Sequence, residues 1–280
     1  MGVRMGSVLM SELESLRFEP SQKRIRGVVG SSTVIDTTRA LLVWEPKRVV
    51  PTYAVPVDEI VGQLVTVPTP DDDTTVGAAV MGAPELAGRR VFDPSVPFAV
   101  RSTEGVSVNI AVAGENRTVA GFRASDPALE GYLIVDFDDV DSWYEEDELN
   151  VAHPRDPYHR VDIVHSSRHV VVTSDGVVLA DSSQPHLLFE TALPVRYYLP
   201  PSDVRTDLLR ESSTSSFCAY KGRASYLSAE SVPDVAWRYL EPLREAAEVT
   251  GRIAFFNERV DVTVDGIQQE RPVTPWSRRS

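Results

Sequence analysis

The sequence predicts a mainly β protein with a few short helices, built as two tandem copies of one domain, and three observations carry that reading. Of its 280 residues, 42% are hydrophobic and 25% charged, a globular composition with apolar material for one large core or two small ones, and this length favours two domains. Two distant stretches share an order of residue types that chance rarely gives, "VIDTTRALLVWEPKRVVPTYAVPVDEI" from Val34 and "VLADSSQPHLLFETALPVRYYLPPSDV" from Val178. Within each copy, β-branched runs are punctuated by turn residues and prolines, the pattern of strands and hairpins rather than of a wound α/β sheet.

The repeat fixes an internal register. Asp36 and Glu45 are nine apart, as are Asp181 and Glu190; Trp44 answers Phe189, and Tyr53 with Pro56 answers Tyr197 with Pro200 after a one-residue slip. Downstream, "AGFRASDP" ending at Pro127 pairs with "VAWRYLEP" ending at Pro242, and "GYLIVDFDDVD" from Gly131 pairs with "GRIAFFNERVD" from Gly251. The resulting layout is an N-terminal extension (1–25), a degenerate first copy (26–150), a connector (151–168), a second copy (169–267) and a polar, Arg-rich tail (268–280). The acidic "PTPDDDTT" around Asp71 to Asp73 and the tail read as mobile segments outside the core.

In chain order, the second copy justifies its elements as follows. "HVVVTSDGVVLAD" is a hairpin, because Asp175-Gly176 supplies the positive φ angles of a type I′ turn. "HLLFET" and "VRYYLP" are strands, the second closed by Pro200, which lacks the N–H to continue a ladder. "SDVRTDLL" is a turn or short helical segment, and "EPLREAAEVTG" a short helix with Pro242 near its first turn and Gly251 past its end. "RIAFFNERVDVTVDG" returns to strand and ends on an Asp265-Gly266 turn.

A formal charge of -13 and a pI near 4.9 set the chain against phosphate backbones and anionic lipid surfaces, so no nucleic-acid and no membrane partner is expected. The N-terminus lacks a signal-peptide apolar region, and no stretch approaches the ~20 apolar residues of a membrane span. One cysteine, Cys218, makes no internal disulfide or multi-cysteine zinc site and fits a reducing compartment, so a cytoplasmic location is expected.

Four histidines, His153, His159, His165 and His169, crowd the connector; Pro154 and Pro157 oppose a helix that would gather His153, Asp156 and His159 round a metal, and no metal or cofactor is expected. "WYEEDE" from Trp143 reads as solvated surface. The turns after Asp36 and Asp181 read as structural, capping their own amides. Glu45 and Glu190 each end an apolar run and so begin in the core, where a carboxylate takes an ion-pair partner, such as Arg123 or Arg238, or has its pKa raised toward acid/base use.

"FCAYKGRASY", from Phe217, is no Walker loop, because Lys221 precedes Gly222 and no glycine run stands upstream. It reads as a strand kinked at Lys221-Gly222, with Cys218 inert and Lys221 either a cation for an anionic ligand or a partner for Glu190. The first copy has "PFAVRSTEGVSVN" here, with neither cysteine nor Lys-Gly, so the polar set belongs to the second copy alone.

The segments "LPVRYYLPPSDVRTDLL", "CAYKGRASY" and "AWRYLEPLREAAEVTGRIAFFNERVDVTVDG" together resemble the bacterial and fungal family labelled domain of unknown function four-two-seven, over about Arg168 to Gly266. The first copy is similar to a degenerate version, as in tandem actinobacterial members with an "HPRDPYHRVD" connector. The resemblance implies a β-tent-like fold, two antiparallel sheets meeting at an angle, with a groove for small ligands or peptides. It does not bring the four-cysteine zinc site of other proteins of that fold, nor, despite the family's nucleotidyltransferase-like label, the carboxylate-held magnesium and Gly-Ser loop of that chemistry. The expectation is a soluble protein binding a small molecule in an aromatic-lined groove of the second copy. Tyr198, Tyr220, Tyr226 and Trp237 would form the wall and Glu190 with Lys221 the convergent polar pair. Acid/base chemistry at that pair, a non-catalytic ligand or partner-binding module, and a self-associating structural tandem stand as alternatives, with oligomeric state left open.

Overall fold

The computed structural model describes residues 2, 3, 8, 11–68, 85, 86, 89, 90 and 96–277. Residues 69–75 of the acidic loop lie outside them. The chain divides into unit 1, Met1–Gly82 with Phe92–Asp156, and unit 2, Ala83–Val91 with Pro157–Ser280.

Unit 1 contains β1 (Arg17–Pro20), β2 (Ile25–Val29), β3 (Ser32–Thr37), β4 (Leu41–Trp44), β5 (Thr52–Pro56) and β6 (Gln63–Thr66). After a two-stranded ribbon, β7 (Glu85–Leu86) with β8 (Arg89–Arg90), the unit resumes with β9 (Gly105–Ala111), β10 (Thr118–Ala124), β11 (Tyr132–Val135), β12 (Ser142–Glu145) and β13 (Glu148–Asn150). Its strands form a seven-stranded sheet ordered β1-β4-β5-β11-β10-β9-β6 and a four-stranded sheet ordered β13-β12-β2-β3. Ile25, Val29 and Val34 from the smaller sheet pack with Tyr53, Val108, Ile110 and Leu133 from the larger one, so the core lies between the sheets.

Unit 2 contains β14 (Val161–His165), β15 (Val170–Ser174), β16 (Val177–Ser182), β17 (His186–Glu190), β18 (Arg196–Leu199), β19 (Arg210–Cys218), β20 (Gly222–Ser228), β21 (Ala236–Pro242), β22 (Ile253–Phe255), β23 (Asp261–Val264) and β24 (Ile267–Gln268). Its sheets run β14-β17-β18-β22-β21-β20-β19 and β16-β15-β23-β24. Strand for strand this is the topology of unit 1, so both units have the mainly β fold class expected, with 3-10 turns in place of longer helices. The expected turns are present: Asp175 and Gly176 both take positive φ, as do Asp265 and Gly266, and Gly251 ends the 3-10 turn Arg244–Val249.

The structure moves two boundaries. β1 lies in what reads as an N-terminal extension, and β14 in what reads as a connector, yet each is the edge strand of a seven-stranded sheet. Val161 and Ile163 point their side chains to the face that also carries Leu188, which gives the short "VDIVH" run a place to bury. The tail is also packed as far as residue 277: Thr274 is buried, donates its hydroxyl to Glu258 Oε1 at 2.6 Å, and Trp276 packs against the aromatic face of unit 2. "WYEEDE" is not solvated throughout. Glu145 is buried on β12, where it accepts from the Tyr53 hydroxyl at 2.8 Å and is ion-paired by Lys23.

Candidate site on the aromatic face of unit 2

Alternation along the strands places one set of side chains on the outer face of the seven-stranded sheet of unit 2. The cross-strand register aligns them in a row: His165 opposite His186, His186 opposite Tyr198, Tyr198 opposite Ala254, Ala254 opposite Trp237, and Trp237 opposite Tyr226. Three of the four aromatic residues singled out from the sequence therefore share one ladder row. Trp237 Nε1 donates to the Tyr198 hydroxyl at 3.0 Å, Tyr226 stacks on Phe256, and Tyr226 shares a 2.8 Å hydrogen bond with Ser216 Oγ. Burial raises the Tyr198 phenol far above its ordinary range, so it stays protonated. Tyr198 is 1% exposed and Trp237 7%, so these two rings fill the face, while Tyr226 remains partly accessible.

Glu190 and Lys221 meet. Lys221 sits in the turn Ala219 to Lys221 between β19 and β20, so this stretch is a hairpin turn with a bulge at Gly222, not a kink within one strand. Lys221 Nζ ion-pairs Glu190 Oε2, and His159 Nε2 donates to Glu190 Oε1 at 3.0 Å; only 5% of the Glu190 side chain is exposed. His159 also stacks on Tyr220, ring centroids 4.2 Å apart, so the fourth aromatic residue roofs the ion pair rather than joining the row. Burial would push the Glu190 carboxyl up, but the Lys221 ammonium and the His159 contacts outweigh it and hold the group down at about 2. The carboxylate also raises the Lys221 pKa against its own burial. The expectation that burial would raise Glu190 toward acid/base use is corrected on this ground. Its suggested partner Arg238 pairs with Glu211 instead.

A second buried ion pair shares the face. Arg196 forks two 2.7 Å bonds onto Glu258, and its guanidinium lies over the rings of Trp237, Phe256 and Trp276 at 5.5, 5.7 and 5.9 Å. Sequence reasoning passed over Arg196 and weighed His159 only as a metal ligand with His153 and Asp156. Arg196 is two residues before Tyr198 on one strand, a spacing that puts both on one face, whereas the link from His159 to Glu190 depends on β14, which the connector disguised.

The first copy is less depleted than its sequence suggests. Glu45 of unit 1, fully buried, receives Arg101 Nη1 at 3.1 Å and the Ser102 amide at 2.8 Å. Arg101 thus does for Glu45 what Lys221 does for Glu190. Register matching puts Ala54 of unit 1 where unit 2 has Tyr198, and Phe122 where it has Trp237, so the two copies differ in the aromatic wall rather than in the charge pair.

His153 Nδ1 donates to its neighbour Pro154 O at 2.7 Å, and His159 is committed to Glu190, so neither side chain is set for the metal grouping the connector spacing raised. Among the described residues no helix is long and apolar enough to cross a membrane. No curated protein matches the chain. Residues 162–266, which span the row, the two ion pairs and their supporting strands, match the family model described as Domain of unknown function (DUF427).

Proposed function

We propose that unit 2 is a binding module for a small polar or aromatic molecule, working without acid/base chemistry at Glu190. The observation that carries this reading is the pairing of a locked charge centre with an aromatic face. Glu190 is held ionised between Lys221 and His159, beside a row of Tyr198, Trp237 and Tyr226. A general base works best with a pKa near the operating pH, and a carboxyl held at about 2 is far from it. The charge pair has a counterpart in Glu45 and Arg101 of unit 1, which supports a scaffold role for it, with the ligand read by the partly accessible Tyr226 and by the His159 and Tyr220 stack. With its single cysteine unpaired, such a module suits a reducing, cytoplasmic setting, and the net negative charge argues against nucleic-acid partners.

The test is a metabolite screen read by thermal stabilisation, then by calorimetry on the hits. Tyr226→Ala and His159→Gln are the informative variants, because neither leaves a buried charge unpaired as Glu190→Ala would. Ligand binding that weakens in both, with melting otherwise retained, supports the site. Hits that bind both variants as they bind the parent would remove this face from the function, and turnover of a hit that needs Glu190 would replace binding by catalysis.

A further inference from the structure

At the far end of the same ladder row, β14 and β17 set His165 directly opposite His186, their rings 3.9 Å apart. The 3-10 turn Arg244–Val249 brings Glu248 to the pair. Nδ1 of His186 lies 2.9 Å from the Glu248 carbonyl oxygen, which can only accept, so Nδ1 carries the proton and Nε2 keeps its lone pair for a ligand. That is the outer contact that orients metal-bound histidines in known sites. His165 Nε2 and a Glu248 carboxylate oxygen are 3.6 Å apart, and one ligand atom from each of the three residues lies within 4.8 Å of the others. A tetrahedral zinc with bonds of about 2.0–2.1 Å needs its ligand atoms about 3.4 Å apart. The approach required falls on the exposed His165 and Glu248 side chains, while the buried His186 stays fixed.

We propose that His165, His186 and Glu248 bind a divalent transition-metal ion, with zinc as the ion of first choice. Two imidazoles and one carboxylate suit zinc, nickel or cobalt rather than magnesium or calcium, and three protein ligands leave one position open. His165 and His186 line a depression of about 390 Å³ together with Ser166, Gln184 and Arg252. Arg252, whose Nη1 donates to Gln184 O at 3.0 Å, adds a positive charge beside it. That charge moderates the affinity and favours an anion or water in the open position. Unit 1 supplies an internal control. Register matching puts Pro20 and Leu41 where unit 2 has His165 and His186, and counting back from Gly131 and Gly251 puts Ala128 where unit 2 has Glu248. All three ligands are special to unit 2.

The experiment uses the full chain without an affinity tag, stripped with a chelator. It is titrated with Co²⁺ while visible absorbance is followed, and with Zn²⁺ by calorimetry. The expected result is one ion per chain, cobalt absorbance with histidine ligation, and its displacement by zinc. His165→Ala, Glu248→Gln and His186→Leu should each weaken zinc binding about tenfold or more, while His169→Ala leaves it unchanged. His165 and Glu248 are exposed, so their variants keep the test valid even if His186→Leu fails to fold. A chain that binds no ion, or whose His165→Ala and Glu248→Gln variants bind as well as the parent, overturns the proposal.

Discussion

Two charges taken out of water must meet each other, and Glu190 and Lys221 do so with His159 on the remaining carboxylate oxygen. Removing one partner leaves the other buried and uncompensated, which costs about 3–5 kcal/mol. Lys221→Met should therefore lower stability by that order in denaturant unfolding, and a further Glu190→Leu change should recover part of the loss. An unchanged midpoint in Lys221→Met would mean that Glu190 finds water or another cation. The pH dependence follows from the sign of the shift. The Glu190 folded-state pKa, at about 2, lies below its ordinary 4.5, so its contribution is fully present above pH 4.5 and is lost as pH falls toward 2. Acid titration of stability should show a downward limb in that window that Lys221→Met abolishes, because burial then dominates and the carboxyl pKa rises.

At the scale of the element, the β19–β20 hairpin depends on Gly222. Its φ is +89°, and an added Cβ would lie 3.2 Å from the Leu243 amide nitrogen. Gly222→Ala should cost about 1–2 kcal/mol through the left-handed backbone alone, visible as a lowered melting temperature with ligand and metal sites otherwise intact. β14 makes a second element-scale prediction. A fragment of residues 169–280 lacks it and leaves β17, with its fully buried Leu188, as a bare edge, whereas a fragment of 157–280 keeps the pairing. The longer fragment should melt cooperatively and the shorter one aggregate; equal behaviour would make β14 dispensable. What was legible in the sequence divides along the same line. Asp175-Gly176 and Asp265-Gly266 announced their hairpins because few other dipeptides take two positive φ angles, and Glu190 announced itself as a charge ending an apolar run. β14 was hidden because prolines and histidines around "VDIVH" outweigh its short alternation. Arg101 was hidden because it reaches Glu45 from a loop with no counterpart spacing in the other copy, and the His165–His186 contact because it exists only once strand register is set.

For the whole molecule, the repeat implies two cores rather than one. The residues between the sheets of unit 1 and those between the sheets of unit 2 form separate clusters, each closed by its own seven and four strands. A compact unit with its own core can unfold on its own account. Each unit also contains one buried carboxylate–cation pair at the same register, Glu45 with Arg101 and Glu190 with Lys221. That pairing allows one experiment to address both cores with matched damage. Arg101→Met should lower the calorimetric transition that belongs to unit 1, and Lys221→Met the one that belongs to unit 2, each by several degrees, since about 1 kcal/mol moves a domain of this size by about 2–8 °C. Adding zinc should raise only the transition that Lys221→Met lowers, because the proposed ligands all come from unit 2. If both substitutions instead move a single transition together, the chain folds as one cooperative body. The repeat would then record ancestry of the sequence without thermodynamic autonomy of its halves.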